Sequence, residues 1–212
     1  MWSPADIADA AAEALRQAEQ GLRTEQAVQG VDSLHERALQ ELLERAFRAH
    51  GWTVAREVRY PSHRPRSRAA GARCDLVLTH GAPLQPDAPP TLFDPSEPTP
   101  SEQACWIEVK CAAARDAEGA ASGYARTLGD AALRDAATIA GEPSIRHGML
   151  VLVLFGVDAE AVGRDVLRWI DETLAAGVPV GQPRMRFVDI RDLRGNAVAG
   201  VACVPVTPSQ VP

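Results

Sequence analysis

The sequence predicts an α/β fold, a mixed β-sheet flanked by helices, on three observations. Segments with apolar residues three and four apart take turns along the chain with short segments of apolar–polar alternation. The run Met149 to Phe155 is continuously apolar and too short for a helix, which suits a strand buried on both faces. Helical patterns also stand at both ends of the run of strands, which implies helices layered on a sheet.

Each element has its own signal. Residues 4 to 21 are Ala-rich, with Ile7, Ala11, Ala14 and Leu15 on one face, Ser3 to cap, Pro4 at the first helical position and Gly21 to end the helix. Ser33 and Glu36 form a capping-box pattern ahead of Leu39, Leu42, Leu43, Ala46 and Phe47, and Gly51 stands where a C-terminal cap belongs. Alternation predicts a strand from Trp52 to Tyr60 and another from about Ala72 to Thr79. Residues 81 to 102 are dense in proline and read as a loop inserted in a hairpin. A strand from Ala104 to Cys111, a helix from about Tyr124 to Ala140 and the strand at Met149–Phe155 form a parallel crossover unit. A helix over about 159–176 and two weaker strands, about 184–190 and 197–205, complete the order. Residues 1–30 are expected as an accessory helical segment, 31–206 as the main domain, and 207–212 as a tail.

Composition narrows the function. No run of eighteen apolar residues exists, so no membrane span is expected. The start MWSPADIADA has no basic segment leading into an apolar one, so no secretory signal is expected. Cys74, Cys105, Cys111 and Cys203 form no CxxC pair and have no histidine at zinc-type spacing. They read as small core residues kept reduced in the cytoplasm. A net charge of −6 argues against a general nucleic-acid coat. Local phosphate contacts remain open, because Arg59, Arg64, Arg66, Arg68 and Arg73 cluster in the first hairpin with Glu57 as the one nearby acid.

The chemistry lies in two strands. Arg73-Cys74-Asp75-Leu76-Val77-Leu78 places one acid in an apolar strand, and Cys105-Trp106-Ile107-Glu108-Val109-Lys110-Cys111 places an acid and a base two apart in another. Alternation points Glu108 and Lys110 the same way. Charges inside apolar strands are costly without partners. Paired as a hairpin, the strands bring Asp75 beside Glu108. Two carboxylates, a backbone carbonyl and waters make a hard-oxygen site for Mg²⁺, with Mn²⁺ as a substitute. A lysine alongside can orient or deprotonate a water and offset developing charge on a phosphate.

An Asp followed by an E-x-K triplet, behind a helix that bears an acid, resembles the PD-(D/E)xK nuclease superfamily, which includes type II restriction enzymes and archaeal Holliday-junction resolvases. The matching segments are LHERALQELLERAFRAHGWTV, RCDLVL and CWIEVK, with the later helix and GMLVLVLF in the same order. The resemblance covers roughly residues 32 to 156 and implies a restriction-endonuclease-like αβββαβ core. It also implies metal ligation by Asp75, Glu108 and the Val109 carbonyl, and catalysis by Lys110. Cys74 stands where the family has proline, and the Pro-rich insertion lengthens the gap from Asp75 to Glu108. The helix acid is open: Glu36 either serves the site or caps Ser33, and by distance to Gly51 the position falls near Gln40, with Glu41 a further alternative. The resemblance implies Mg²⁺-dependent cleavage of nucleic acid, DNA above all. A nuclease-fold module without activity, acting in nucleic-acid or protein binding, is the alternative. No specificity domain is recognisable, so targeting by a partner protein is expected, and the oligomeric state is open.

Overall fold

The computed structural model describes residues 2–61, 72–85, 98–116, 118–121 and 123–208. Helix α1 (Pro4–Thr24) starts where Ser3 accepts the Asp6 N–H, and it runs through Gly21 to end three residues later than expected. Helix α2 (Glu36–Ala49) is followed by Gly51 at φ +100°, a left-handed turn that favours glycine. Strands β1 (Trp52–Arg59), β2 (Arg73–His80) and β3 (Cys105–Ala113) follow, then a short ribbon of β4 (Arg115–Asp116) and β5 (Gly119–Ala120). The helix expected over 124–140 is present in three joined pieces: α3 (Tyr124–Arg126), a π-turn (Thr127–Ala131) and α4 (Ala132–Ala140). Strand β6 (His147–Gly156), helix α5 (Ala159–Ala175), β7 (Arg184–Asp189) and β8 (Val198–Val206) complete the chain.

Six strands form one mixed sheet in the order β1-β2-β3-β6-β8-β7. Only β3 and β6 pair in parallel, joined through α3 and α4, and the other neighbours are antiparallel. The central strand β6 is buried almost throughout, which is why its sequence lacks alternation.

The sheet separates two apolar layers. On one face, Ile7, Ala11 and Leu15 of α1 and Leu39, Leu43 and Phe47 of α2 pack on Leu76, Ile107, Val109 and Val151. On the other, Ala132, Ala136 and Ile139 of α4 and Val166, Trp169 and Ile170 of α5 pack on Trp106, Leu150 and Leu152. Leu39, Leu43 and Phe47 are fully buried, and truncating one such side chain typically costs about 2–5 kcal/mol. That anchorage fixes the first turn of α2 against the sheet. Helix α4 is fixed by a close approach, since a Cβ on Gly148 of β6 would stand 2.1 Å from an Ile139 methyl.

Both ends of the inserted segment at 81–102 are held by hydrogen bonds. Leu84 bridges to Thr99, Gln85 N–H donates to Thr99 at 2.8 Å, and the Trp106 indole donates to the Ser101 carbonyl at 3.0 Å. At the C-terminal end, Thr207 N–H donates to the Pro179 carbonyl at 2.9 Å. Among the described residues, no helix is long and apolar enough to cross a membrane.

Candidate active site

Strands β2 and β3 pair at Leu78–Cys105, Val77–Trp106 and Leu76–Ile107. One step further, Asp75 stands opposite Glu108, and side chains take over from the backbone ladder. The Val109 N–H donates to Asp75 Oδ2 at 2.8 Å, and the Cys74 thiol donates to the Ile107 carbonyl at 3.2 Å. Alternation also breaks here. Leu76 and Leu78 enter the α1/α2 layer, yet Cys74, of the same parity, enters the α4/α5 layer. In β1, Val54 and Val58 divide in the same way, with Glu57 between them at φ +52°. A left-handed glutamate re-aims the strand at the residue facing Asp75, as irregularities beside functional sites often do.

Glu108 is 6% exposed. Burial pushes its carboxyl up to about 9, and the negative charge of Asp75 adds to that, while the hydrogen bond from Tyr60 pulls it down. The Tyr60 hydroxyl donates to Glu108 Oε1 at 2.5 Å. Its ring stacks on Trp106, centroids 5.6 Å apart, which aims the hydroxyl along β3 toward Glu108. Two acids in mutual contact, one held neutral chiefly by burial and further by the charge of the other, are a donor set that a cation would relieve.

Lys110 Nζ lies 2.8 Å from Asp135 Oδ2 of α4, 3.2 Å from Glu36 Oε1 of α2 and 3.2 Å from the Val109 carbonyl. Burial works to lower its pKa, but the close ion pair with Asp135, then the charges of Glu36 and Asp75, outweigh it and raise the pKa. The lysine is therefore a fixed cation. Burial raises the carboxyls of Glu36 and Asp135 despite the opposing Lys110 charge.

Glu36 is the first residue of α2, and its side chain turns to Lys110. The capping box expected between Ser33 and Glu36 is absent. His35 caps the helix, its Nδ1 accepting the Ala38 N–H at 3.1 Å, while Ser33 sits in a 3₁₀ turn and spends its hydroxyl on the Gly30 carbonyl. Gln40 is buried one turn along, and Glu41 pairs with Arg37 at 3.6 Å and Arg56 at 3.7 Å. An open groove of about 800 Å³ runs past Asp75, lined by His35, Glu36, Arg37, Gln40, Arg56 and Glu57.

Of the expected basic cluster, Arg59 and Arg73 face each other as the last β1–β2 pair, two residues from Asp75 on the β2 side. Arg64, Arg66 and Arg68 lie outside the described residues. All four cysteines are free, and three are buried.

Two members of the cluster escaped the sequence reading. Asp135 falls within the stripe Leu128, Ala132, Ala136 and Ile139, where an acid on an otherwise apolar helix face is a signal. The composition held a second signal. Of the 22 basic residues other than histidine, 21 are arginine, and Lys110 is the sole lysine of the chain. Tyr60 carried no local signal, because its contact with Glu108 spans 48 residues.

Among the described residues, no three His, Cys, Asp or Glu side chains stand together as a metal cage. Mg²⁺ is commonly held by one or two carboxylates with waters, so the pair Asp75 and Glu108 with the Val109 carbonyl has the right chemistry for that ion. No family model matches the chain, and neither a curated protein nor a solved structure matches it.

Proposed function

We propose that this chain is a Mg²⁺-dependent nuclease of the PD-(D/E)xK type that hydrolyses phosphodiester bonds in DNA. The observation that supports it best is the cluster itself. Asp75 contacts Glu108, and Lys110, the sole lysine, is held in a charged, oriented state on the same strand. Clustered groups with perturbed pKa values beside a groove are what catalytic sites require.

In this reading Asp75, Glu108 and the Val109 carbonyl hold the ion, which when bound supplies charge neutralisation at the phosphate and a more acidic water. Tyr60 holds Glu108 in place through its hydroxyl. Lys110, positively charged throughout the physiological range, orients the attacking water and offsets charge building on the phosphorane oxygens. Arg59 and Arg73, opposed like charges that repel when nothing lies between them, contact the DNA phosphates, with Arg64, Arg66 and Arg68 extending that set. The enzyme works in the cytoplasm, where its free cysteines stay reduced.

One observation favours a second reading, a nuclease-fold module that binds nucleic acid or protein without cutting. Burial leaves Glu108 neutral, and no third carboxylate joins the pair among the described residues. Incubation with plasmid, linear duplex and single-stranded DNA in Mg²⁺ or Mn²⁺ decides between them. Cleavage by the wild type, lost in Asp75→Asn together with heat of Mg²⁺ binding, is the outcome expected of an enzyme. Binding of DNA with no cleavage and no ion uptake would select the module.

A further inference from the structure

We propose that Asp135 is the residue that positions Lys110, so that helix α4 aims the ammonium into the site while Glu36 acts as a partner that lets go. The role it serves rests on the nuclease reading, but the tether itself does not.

An ammonium has three donors, and three oxygens stand around this one: Glu36 and the Val109 carbonyl accept hydrogen bonds at 3.2 Å each, and Asp135 Oδ2 pairs by charge at 2.8 Å without hydrogen-bond alignment. For Lys110 to turn its ammonium toward a water or a phosphate oxygen, one of these contacts must loosen. The Val109 carbonyl belongs to the lysine's own strand and is fixed in place, so the choice of tether lies between the two carboxylates. Asp135 makes the shortest contact, is 26% exposed, and rides on a helix whose Ala132, Ala136 and Ile139 are fully buried. The close approach at Gly148 locks that helix to β6, the neighbour of the lysine's strand. Glu36 is more exposed at 38%, sits at the first turn of its helix and lines the open groove. It is the acceptor with somewhere to go.

A lysine stem has four rotatable bonds, so an untethered ammonium samples many positions. Rate depends steeply on position, and displacement of about 1 Å can cost two orders of magnitude. Asp135 is thus a positioning residue, acting through Lys110 without touching substrate.

Because Lys110 is the sole lysine, protein grown with ε-¹³C-lysine gives one side-chain methylene signal from the chain. In the wild type its two ε protons should be inequivalent, the signature of a fixed side chain. Asp135→Ala should collapse them to the averaged free-lysine position, whereas Glu36→Gln should leave them inequivalent. In cleavage assays Asp135→Ala should lower kcat about tenfold or more, with KM for DNA and half-saturating Mg²⁺ unchanged, and Asp135→Glu should recover part of the loss. Alanine is the best helix former and sits among alanines here, so the fold is expected to hold. Should it not, Asp135→Asn is read by the same signal, with the ε protons moved toward averaging. An ε signal unmoved in these variants, or freed by Glu36→Gln instead, overturns the tether. So does a Mg²⁺ requirement that rises in step with the loss of kcat, since Asp135 would then be serving the ion. A wild type that shows the fixed signal and cuts no DNA would sink the nuclease reading and leave the tether standing.

Discussion

The hydroxyl of Tyr60 donates to the carboxyl of Glu108 at 2.5 Å, from the residue after β1, a strand two places away in the sheet. The bond bridges over β2, the strand of Asp75. Glu108 is thereby fixed between a neutral donor and a second acid, in a pocket that favours its protonated form.

That placement sets a pH dependence. The folded pKa of Glu108, about 9, lies far above its ordinary 4.5. The neutral form belongs to the fold, so its contribution to stability is complete below the unfolded value and is lost as pH rises through the folded one. Wild-type melting temperature should therefore fall between about pH 5 and pH 9. Glu108→Gln stays neutral and should melt several degrees higher at pH 8, with the gap closing toward pH 5. The raised carboxyls of Glu36 and Asp135 remain in both proteins, so the difference isolates Glu108. A gap that is constant with pH would show that Glu108 is ionised in the fold.

Glu57 provides a test of the strand irregularity beside Asp75. It is exposed and left-handed at φ +52° in a strand, a conformation that costs an L-residue about 1–2 kcal/mol and glycine little. Glu57→Gly should keep or raise the melting temperature. Glu57→Val should lower it, although valine is the better strand former. Stabilisation by valine would mean an ordinary extended residue at this position.

The proline-rich insertion is held at its two ends. The Leu84–Thr99 bridge brings residues 85 and 98 together, so replacing 86–97 with a short Gly/Ser link should leave melting within a few degrees. Removing 98–103 as well takes away the carbonyls of Ser101 and Gln103, which the Trp106 and Trp2 indoles bond at 3.0 and 2.8 Å. Each orphaned buried donor costs about 1–3 kcal/mol. Equal melting losses in the two deletions would contradict this.

These contrasts show what could be read from the chain. Glu108 and Lys110 were legible because strand alternation has a fixed period, and the apolar setting marked them. Asp75 needed only the guess that its strand pairs with theirs. The helix start was misplaced by two residues, because Ser33 and His35 are both able to cap and only the local turn decides between them. Asp135 was visible in principle as an acid on an apolar helix face, but its partner was not, since strand and helix positions come together only through the packing of Ile139 on Gly148. Tyr60 was beyond reach for a different reason: its contact depends on the turn of β1 at Glu57 and on stacking against Trp106.

The most direct test is the cleavage rate of Lys110→Ala on DNA in saturating Mg²⁺, measured beside its melting curve. Lys110 pairs with Glu36 and Asp135, both partly exposed, so water can take over their solvation and the variant should fold. Turnover is expected to fall by about two orders of magnitude, the scale of losing an electrostatic or acid–base group. Mg²⁺ affinity should hold or rise, because a nearby positive charge is gone. A folded Lys110→Ala protein that cuts at the wild-type rate would contradict the assignment of this lysine to catalysis.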